Sequence, residues 1–269
     1  MRKAMLVLGG VLSLALAAYA VWVEPYWIEV TRHELPAPVA APLTIAHLSD
    51  LHTLGLGRRE RKLLALLEEE KPDLIVVTGD SRSGFGGDNA MVRQTVARLH
   101  APLGVWVVRG NYDGARSLQR ALAPLESQGV RWLLNQGRAA RPDLWILGLD
   151  DFMTGAPDLE AASADVPASA YVIALFHGPA TFDLAAGRID LALAGHTHGG
   201  QVRFPFLPPL WLPYGTGDYL EGWYEKNGSR MYVSRGLGTS ILPIRFLCRP
   251  ELAFITLVPS RQGGTFLEE

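Results

Sequence analysis

The sequence predicts a layered α/β domain carried behind one apolar N-terminal helix. Three observations predict it. Short β-rich runs alternate with amphipathic helical stretches over residues 43–128. Ala4–Val23 is an uncharged run of about the 20 residues that cross a bilayer core. The apolar runs also end, one after another, in Asp, Asn or His.

The first element is the apolar helix. Arg2 and Lys3 precede it and Glu24 follows it, which by the positive-inside rule puts the N-terminus in the cytoplasm and the domain outside. Trp22, Tyr26 and Trp27 suit an interfacial belt. Ala18-Tyr19-Ala20 fits a signal-peptidase site, but the apolar run is longer than the roughly 7–15 residues of a signal core, so residues 1–23 are expected to be an uncleaved anchor. Residues 24–42, with Pro36, Pro38 and Pro42, read as an extended linker. The domain is expected over 43–258, with a tail at 259–269.

Within the domain, Leu43–Leu48, Leu74–Thr78 and Val105–Val108 read as strands separated by helices at Arg59–Glu70, Asn89–Leu99 and Ala115–Gln128. Further strands are expected at Leu144–Leu149, Tyr171–Phe176, Leu191–Ala194, Met231–Ser234 and Leu252–Val258. Asp151–Pro167 and the proline-rich apolar stretch Phe204–Leu212 read as surface loops, the second either dipping into the membrane or cradling acyl chains, or simply packed on the domain. The 269 residues form one domain without internal repeats. A net charge of −2 with no basic cluster argues against nucleic acid as a partner. A single cysteine, Cys248, excludes an intrachain disulfide and any cysteine-based metal cluster.

The chemistry gathers at strand ends. Asp50 and His52 follow the first strand of the domain, Asp80 the second, Asn111 the third, His177 a later one, and His196 with His198 the run LALAGHTHGGQ at Leu191–Gln201. In extended backbone, residues i and i+2 point the same way, so each pair can face one point. Open α/β sheets collect the C-terminal ends of their strands along one edge, so all seven side chains can converge. Carboxylate, amide and imidazole donors without thiolate suit Mn²⁺, Fe, Zn²⁺ or Mg²⁺.

The ordered blocks D-x-H (Asp50, His52), G-D (Gly79, Asp80), G-N-x-D (Gly110 to Asp113), a lone His177 and G-H-x-H (Gly195 to His198) resemble the calcineurin-like metallophosphoesterases. The anchor, the GHTHGGQ form of the last block, Ser234–Gly238 and Pro243-Ile244-Arg245 resemble its membrane-attached bacterial branch, which includes UDP-2,3-diacylglucosamine hydrolase-like proteins of lipid A biosynthesis. The resemblance implies a four-layer α/β/β/α sandwich and two divalent ions, Mn²⁺ first among them. One ion would take Asp50, His52, Asp80 and His198; the other would take Asp80, Asn111, His177 and His196. It implies a hydrolase in which a metal-bridged hydroxide attacks phosphorus in line, on a lipid- or nucleotide-linked phosphodiester or pyrophosphate. Asn111, Tyr112, Asp113 and His177 would be its catalytic residues.

One position departs from that pattern. The family commonly has His after the Asn, protonating the leaving oxygen and oriented by the following Asp; here Tyr112 stands there, with Asp113 retained. A phenol is a poor proton donor at neutral pH, which favours leaving groups that need no proton. An envelope phosphatase with soluble substrates and a non-catalytic metal-binding scaffold are the competing readings. Arg235 is expected to serve a structural turn, and His33, His47 and His100 lie off the motifs.

Overall fold

The computed structural model describes residues 1–260; residues 261–269, most of the expected tail, lie outside the described residues. Helix α1 (Arg2–Ala18) runs on through a π-helical turn (Tyr19–Val23) and a 3-10 turn (Glu24–Tyr26). The whole segment is long and apolar enough to cross a membrane, and α1 buries none of its residues in the protein.

Behind it stand two six-stranded sheets. The first is ordered β1 (Glu29–Ala37), β12 (Glu251–Pro259), β2 (Leu43–Leu48), β3 (Leu74–Thr78), β4 (Val105–Val108) and β5 (Val130–Trp132). The second is ordered β10 (Gly222–Lys226), β11 (Ser229–Val233), β9 (Leu191–Ala194), β8 (Tyr171–Leu175), β7 (Leu144–Gly148) and β6 (Gln136–Arg141). Strands β2 to β5 are parallel, as are β7, β8, β9 and β11.

The central strands are apolar at nearly every position because both of their faces are covered. Period two divides their side chains between layers. Leu43, Ile45, Leu74, Val76, Trp106 and Val108 face the second sheet, where they meet Ile173, Leu175, Leu191 and Leu193. Ala46, Leu48, Ile75, Val77, Val105 and Val107 pack outward on α2 (Arg58–Glu70), α3 (Asn89–Val96) and α4 (Ala115–Leu122) through Leu63, Val92, Val96 and Leu118. On the far side, Ala174, Phe176, Ala192 and Ala194 pack on α5 (Leu159–Ser163) and α6 (Phe182–Ala185). The result is α/β/β/α layering.

The stretch expected to be a linker is largely sheet. Residues 29–37 pair in parallel with β12 along their whole length, and Leu35 and Ala37 are buried in the inter-sheet core. Charged Glu29, Arg32 and Glu34 and the ring of Pro36 are tolerated because β1 is an edge strand. The junction with the apolar helix is also built into the domain. Glu24 is fully buried and accepts the backbone N–H groups of Leu247 and Cys248, while Arg245 N–H donates to Ala20 O at 3.0 Å. Losing the Glu24 carboxylate would orphan two N–H groups, at about 1–3 kcal/mol each where they are buried. The expected loop at Asp151–Pro167 contains the short helix α5, capped by Asp158 accepting from Ala161 N–H. Phe204–Leu212 is a loop, with Phe206, Leu207, Leu210 and Trp211 exposed.

Candidate metal centre

Six of the seven expected residues meet where the C-terminal ends of β2, β3, β8 and β9 converge from the two sheets, and Asn111 stands after β4 next to Tyr112, whose N–H reaches Asp80. The six form two groups. Ligand atoms of Asp50, His52 and His198 lie within 4.8 Å of one another, as do those of Asp80, His177 and His196. Every one of these six side chains is buried. Asp80 Oδ2 lies 3.3 Å from His177 Nε2 and 3.6 Å from His52 Nε2, so one carboxylate oxygen faces both groups. Its other oxygen accepts Tyr112 N–H at 2.9 Å.

The local backbone explains the convergence, and it is not the extended geometry expected from the spacing. Asp50 (φ 51°), His52 (39°), Asp80 (48°), His196 (73°) and His198 (52°) all sit in the left-handed region. Such residues cost on the order of 1–3 kcal/mol each and persist where the surroundings over-determine them. Here the loops after β2 and β3 brace each other: Asp50 N–H donates to Gly79 O, His52 N–H to Asp80 O and Thr53 N–H to Ser81 O. Gly195 is required by close approach, since a Cβ there would lie 1.8 Å from Ser49 Oγ and 2.4 Å from Asp50 Oδ2. His196 and His198 consequently point to different groups.

At His177, His196 and Asp50 the inward atom is selected by hydrogen bonds to the opposite atom of the side chain. His177 Nδ1 is 2.8 Å from Thr78 O, which fixes a proton on Nδ1 and turns Nε2 inward. His196 does the reverse: Nε2 donates to Tyr214 O at 2.8 Å and Nδ1 faces His177 Nε2 at 3.0 Å. Asp50 Oδ2 accepts from Ser49 Oγ and His196 N–H, leaving Oδ1 buried with no hydrogen-bond donor. Asn111 Oδ1 is likewise buried and unpartnered. Buried oxygens of this kind normally find a partner, and a cation at each group supplies one. The donor set fits two hard divalent ions.

The electrostatics point the same way. Burial, opposed by Asp50, pushes the His198 imidazole down to about 3, so it is neutral and able to donate a lone pair. Burial also lowers His52 and His196. His177 is the exception: burial opposes its charge, but Asp80 and Asp50 together outweigh that and hold it up to about 10. Burial likewise opposes ionisation of Asp80, yet His177, His52 and the Tyr112 N–H keep it well below the usual carboxylate range. A ligating imidazole must first lose the proton on its inward nitrogen. Metal uptake at pH 7 should therefore expel about one proton from His177, and affinity should rise with pH toward the value of about 10. Calorimetric titration of Mn²⁺ in buffers of different ionisation enthalpy checks this. A binding heat independent of buffer would refute it.

Asp113 is tied to the backbone of the neighbouring loops. It is buried, and both carboxylate oxygens are occupied by backbone N–H groups of Ser81, Arg82 and Gly110, so it ties the third loop to the second. Burial and the neighbouring Asp80 push its carboxyl up to about 6. The Tyr112 ring lies edge-on to His52 at 5.2 Å, with its hydroxyl 3.3 Å from Ser240 Oγ. It lines a small cavity of about 100 Å³ with His52, Phe85 and Ser240.

Arg235 is held by Glu29 and Glu251 and is structural, as expected. Several supporting residues have no motif of their own. Arg59 donates to Leu51 O and His52 O, propping the first loop. Fully buried Arg245 gives its guanidinium to the carbonyls of Arg235, Gly236, Gly238 and Cys248, beneath His198. The triplet Pro243-Ile244-Arg245 carries a signal only through the family resemblance, and Arg59 is one charge among several in an amphipathic helix.

Comparison with known proteins agrees with this geometry. A family model described as calcineurin-like phosphoesterase matches residues 43–200. The chain is 32% identical over 257 residues to the uncharacterized metallophosphoesterase YkuE of Bacillus subtilis, covering 89% of this chain and 88% of that protein. It is 30% identical over 256 residues to the phosphodiesterase YaeI of Escherichia coli, covering 89% and 92%. One solved structure matches with a TM-score of 0.51 at 12% identity, over 71% of this chain and 90% of that one, a likeness of fold.

Proposed function

Because this chain belongs to the calcineurin-like phosphoesterase family and is a hydrolase, we propose that it is a dimetal phosphodiesterase working at a membrane surface. The observation that carries this reading is the single Asp80 oxygen facing both buried groups. Asp50, His52, Asp80 and His198 would hold one ion, and Asp80, Asn111, His177 and His196 the other. Mn²⁺ is our first choice, and Fe, Zn²⁺ or Mg²⁺ satisfy the same donors. Bound there, such ions supply Lewis acidity toward the phosphoryl oxygens and an acidified water.

The chain's own residues do the rest. The Thr78 and Tyr214 carbonyls keep His177 and His196 in the tautomers that present Nε2 and Nδ1. Buried walls exclude bulk water and strengthen every electrostatic contact with the phosphate. The Tyr112 hydroxyl, beside Ser240, is placed to hydrogen-bond a phosphate or leaving-group oxygen. Without an imidazole at that position, the substrate is a diester or pyrophosphate with a stable leaving group, lipid- or nucleotide-linked in the manner of UDP-2,3-diacylglucosamine. The name of the Escherichia coli relative, a phosphodiesterase, supports the diester. The apolar helix anchors the enzyme in a single pass, with Arg2 and Lys3 keeping the catalytic domain extracytoplasmic.

Turnover of the full-length protein with Mn²⁺ tests this on bis-(4-nitrophenyl) phosphate, 4-nitrophenyl phosphate and UDP-2,3-diacylglucosamine. The two nitrophenyl esters share one leaving group, so their ratio reads the class of phosphoryl group alone, and a diesterase should hydrolyse the diester at least about tenfold faster than the monoester. A preference for the monoester would contradict the reading.

A further inference from the structure

Beside the metal centre lies a second cavity of about 530 Å³, the size of a small-molecule site. Its inner end is His198, a residue of the first group. Its walls are Val202, Leu210 and Trp211 on one side and Ile241 and Leu242 on the other. Gln201 and Ser240 also line it, but Gln201 spends its amide on the backbone of Ser240 and Leu242. Little polar surface is therefore left to recognise a base, a sugar or a second phosphate. The double glycine of the GHTHGGQ block makes the wall: Gly200 sits at φ +82° with Pro209 folded against it, so the apolar loop 204–212 closes over the cavity.

Residues next in chain or in pairing to the lining residues Ile244 and Val202 contact the apolar helix. Arg245 N–H donates to Ala20 O, and the Tyr19 ring meets Phe246 edge-on at 6.5 Å. Phe246 in turn bridges to Val202 and packs on Phe204 at 5.8 Å. Ile241, Leu242, Leu210 and Trp211 are all more than half exposed at the rim. An apolar pocket thus runs from a metal-binding histidine toward the end of a membrane-length helix.

We propose that this cavity takes a hydrocarbon chain of the substrate, so that the phosphodiester cleaved is that of an acyl-chain lipid. This rests on the phosphodiesterase reading above and narrows it. A lipid in the outer half of the bilayer would slide one chain between the two loops while its phosphate reaches the metal centre. The headgroup would lie on the Tyr112 side, since Ser240 and Ile241 line both that small cavity and this one. Full burial of a methylene is worth about 0.8 kcal/mol, close to fourfold in affinity; a partly open pocket returns about twofold per carbon.

The test uses full-length protein in phosphatidylcholine nanodiscs with Mn²⁺ and a series of methyl, butyl, octyl and dodecyl 4-nitrophenyl phosphates. In the native enzyme kcat/KM should rise about 10²-fold from methyl to octyl, at about twofold per carbon. Ile241→Asp and Leu242→Asp, at exposed positions where folding tolerates a charge, should each reduce the octyl-to-methyl ratio at least about tenfold. Partitioning of longer esters into the disc is the same for all three proteins, so an equal ratio in all three would overturn the proposal. So would a flat series in the native enzyme, and in both cases hydrolysis of the methyl ester would leave the phosphodiesterase reading standing. Failure to hydrolyse any member would defeat both.

Discussion

Asp80→Ala should abolish turnover, by more than about 10³-fold, and should lose both metal ions together. Losing a single preorganised group that stabilises transition-state charge typically costs 10²–10³-fold, and here two cations would go with one side chain. The reason is placement: one Asp80 oxygen faces His177 at 3.3 Å and His52 at 3.6 Å, one from each group. Each group would keep its remaining donors, Asp50 among them, but lose the carboxylate oxygen placed between both. The other Asp80 oxygen holds Tyr112 N–H, so a fall in activity from loosened backbone must be told apart from metal loss. Asp80→Asn serves that purpose, since its amide oxygen can still accept that N–H. It should melt as a folded protein and bind metal weakly at both sites. By contrast, His196→Ala removes a donor from one group only and should leave close to one ion per chain. Metal analysis finding two ions in Asp80→Ala would end the bridging assignment.

Tyr112→His should flatten the dependence of rate on leaving-group pKa. In the native enzyme, phosphoanhydrides and aryl esters should be fast and alkyl esters slow, because the phenol transfers a proton poorly. General acid catalysis is typically worth about 10²–10⁴-fold where a proton is needed. The structure lowers that expectation for a single change. Asp113, which by resemblance would orient the new imidazole, has both oxygens committed to the N–H groups of Ser81, Arg82 and Gly110. The imidazole at 112 would have Ser240 Oγ for company instead. A gain of about ten- to a hundredfold on alkyl esters is expected, with aryl esters unchanged or slower through loss of the tyrosine hydroxyl. Plots of log kcat/KM against leaving-group pKa for both proteins decide it; parallel lines would leave Tyr112 as a spacer.

What the chain reveals before folding, and what it hides, follows from where each signal resides. Runs such as LIVVT at Leu74–Thr78 and LALA at Leu191–Ala194 are legible because a strand covered on both faces must be apolar throughout. Strand β1 is not, because an edge strand half open to solvent accepts Glu29, Arg32 and Glu34, and its pairing partner lies more than two hundred residues away. β5, with three residues, and β6 and β10, polar edge strands, are hidden for the same reason. Glu24 reads as the end of a membrane segment, yet its carboxylate is a buried bond to residues 247 and 248.

At the site, the side chains announce themselves by type and order, while their selection does not. Thr78 O and Tyr214 O choose the tautomers of His177 and His196, and a carbonyl has no letter in the sequence. The apolar cavity is assembled from three separated stretches, around 197–202, 210–211 and 240–244, and no one of them resembles a pocket alone. Spacing also gave the right convergence for the wrong reason. The i, i+2 pairs face the site from left-handed backbone, which fans His196 and His198 toward different groups.

The central claim is that two ions held by seven residues of this chain drive phosphodiester hydrolysis. It is tested most directly by stripping the protein with chelator and restoring Mn²⁺ stepwise, counting bound metal and bis-(4-nitrophenyl) phosphate turnover in the same samples. The account predicts two equivalents bound per chain, with activity low at one equivalent and complete at two. Full activity at one equivalent, or turnover in the stripped protein equal to that of the restored one, would contradict it.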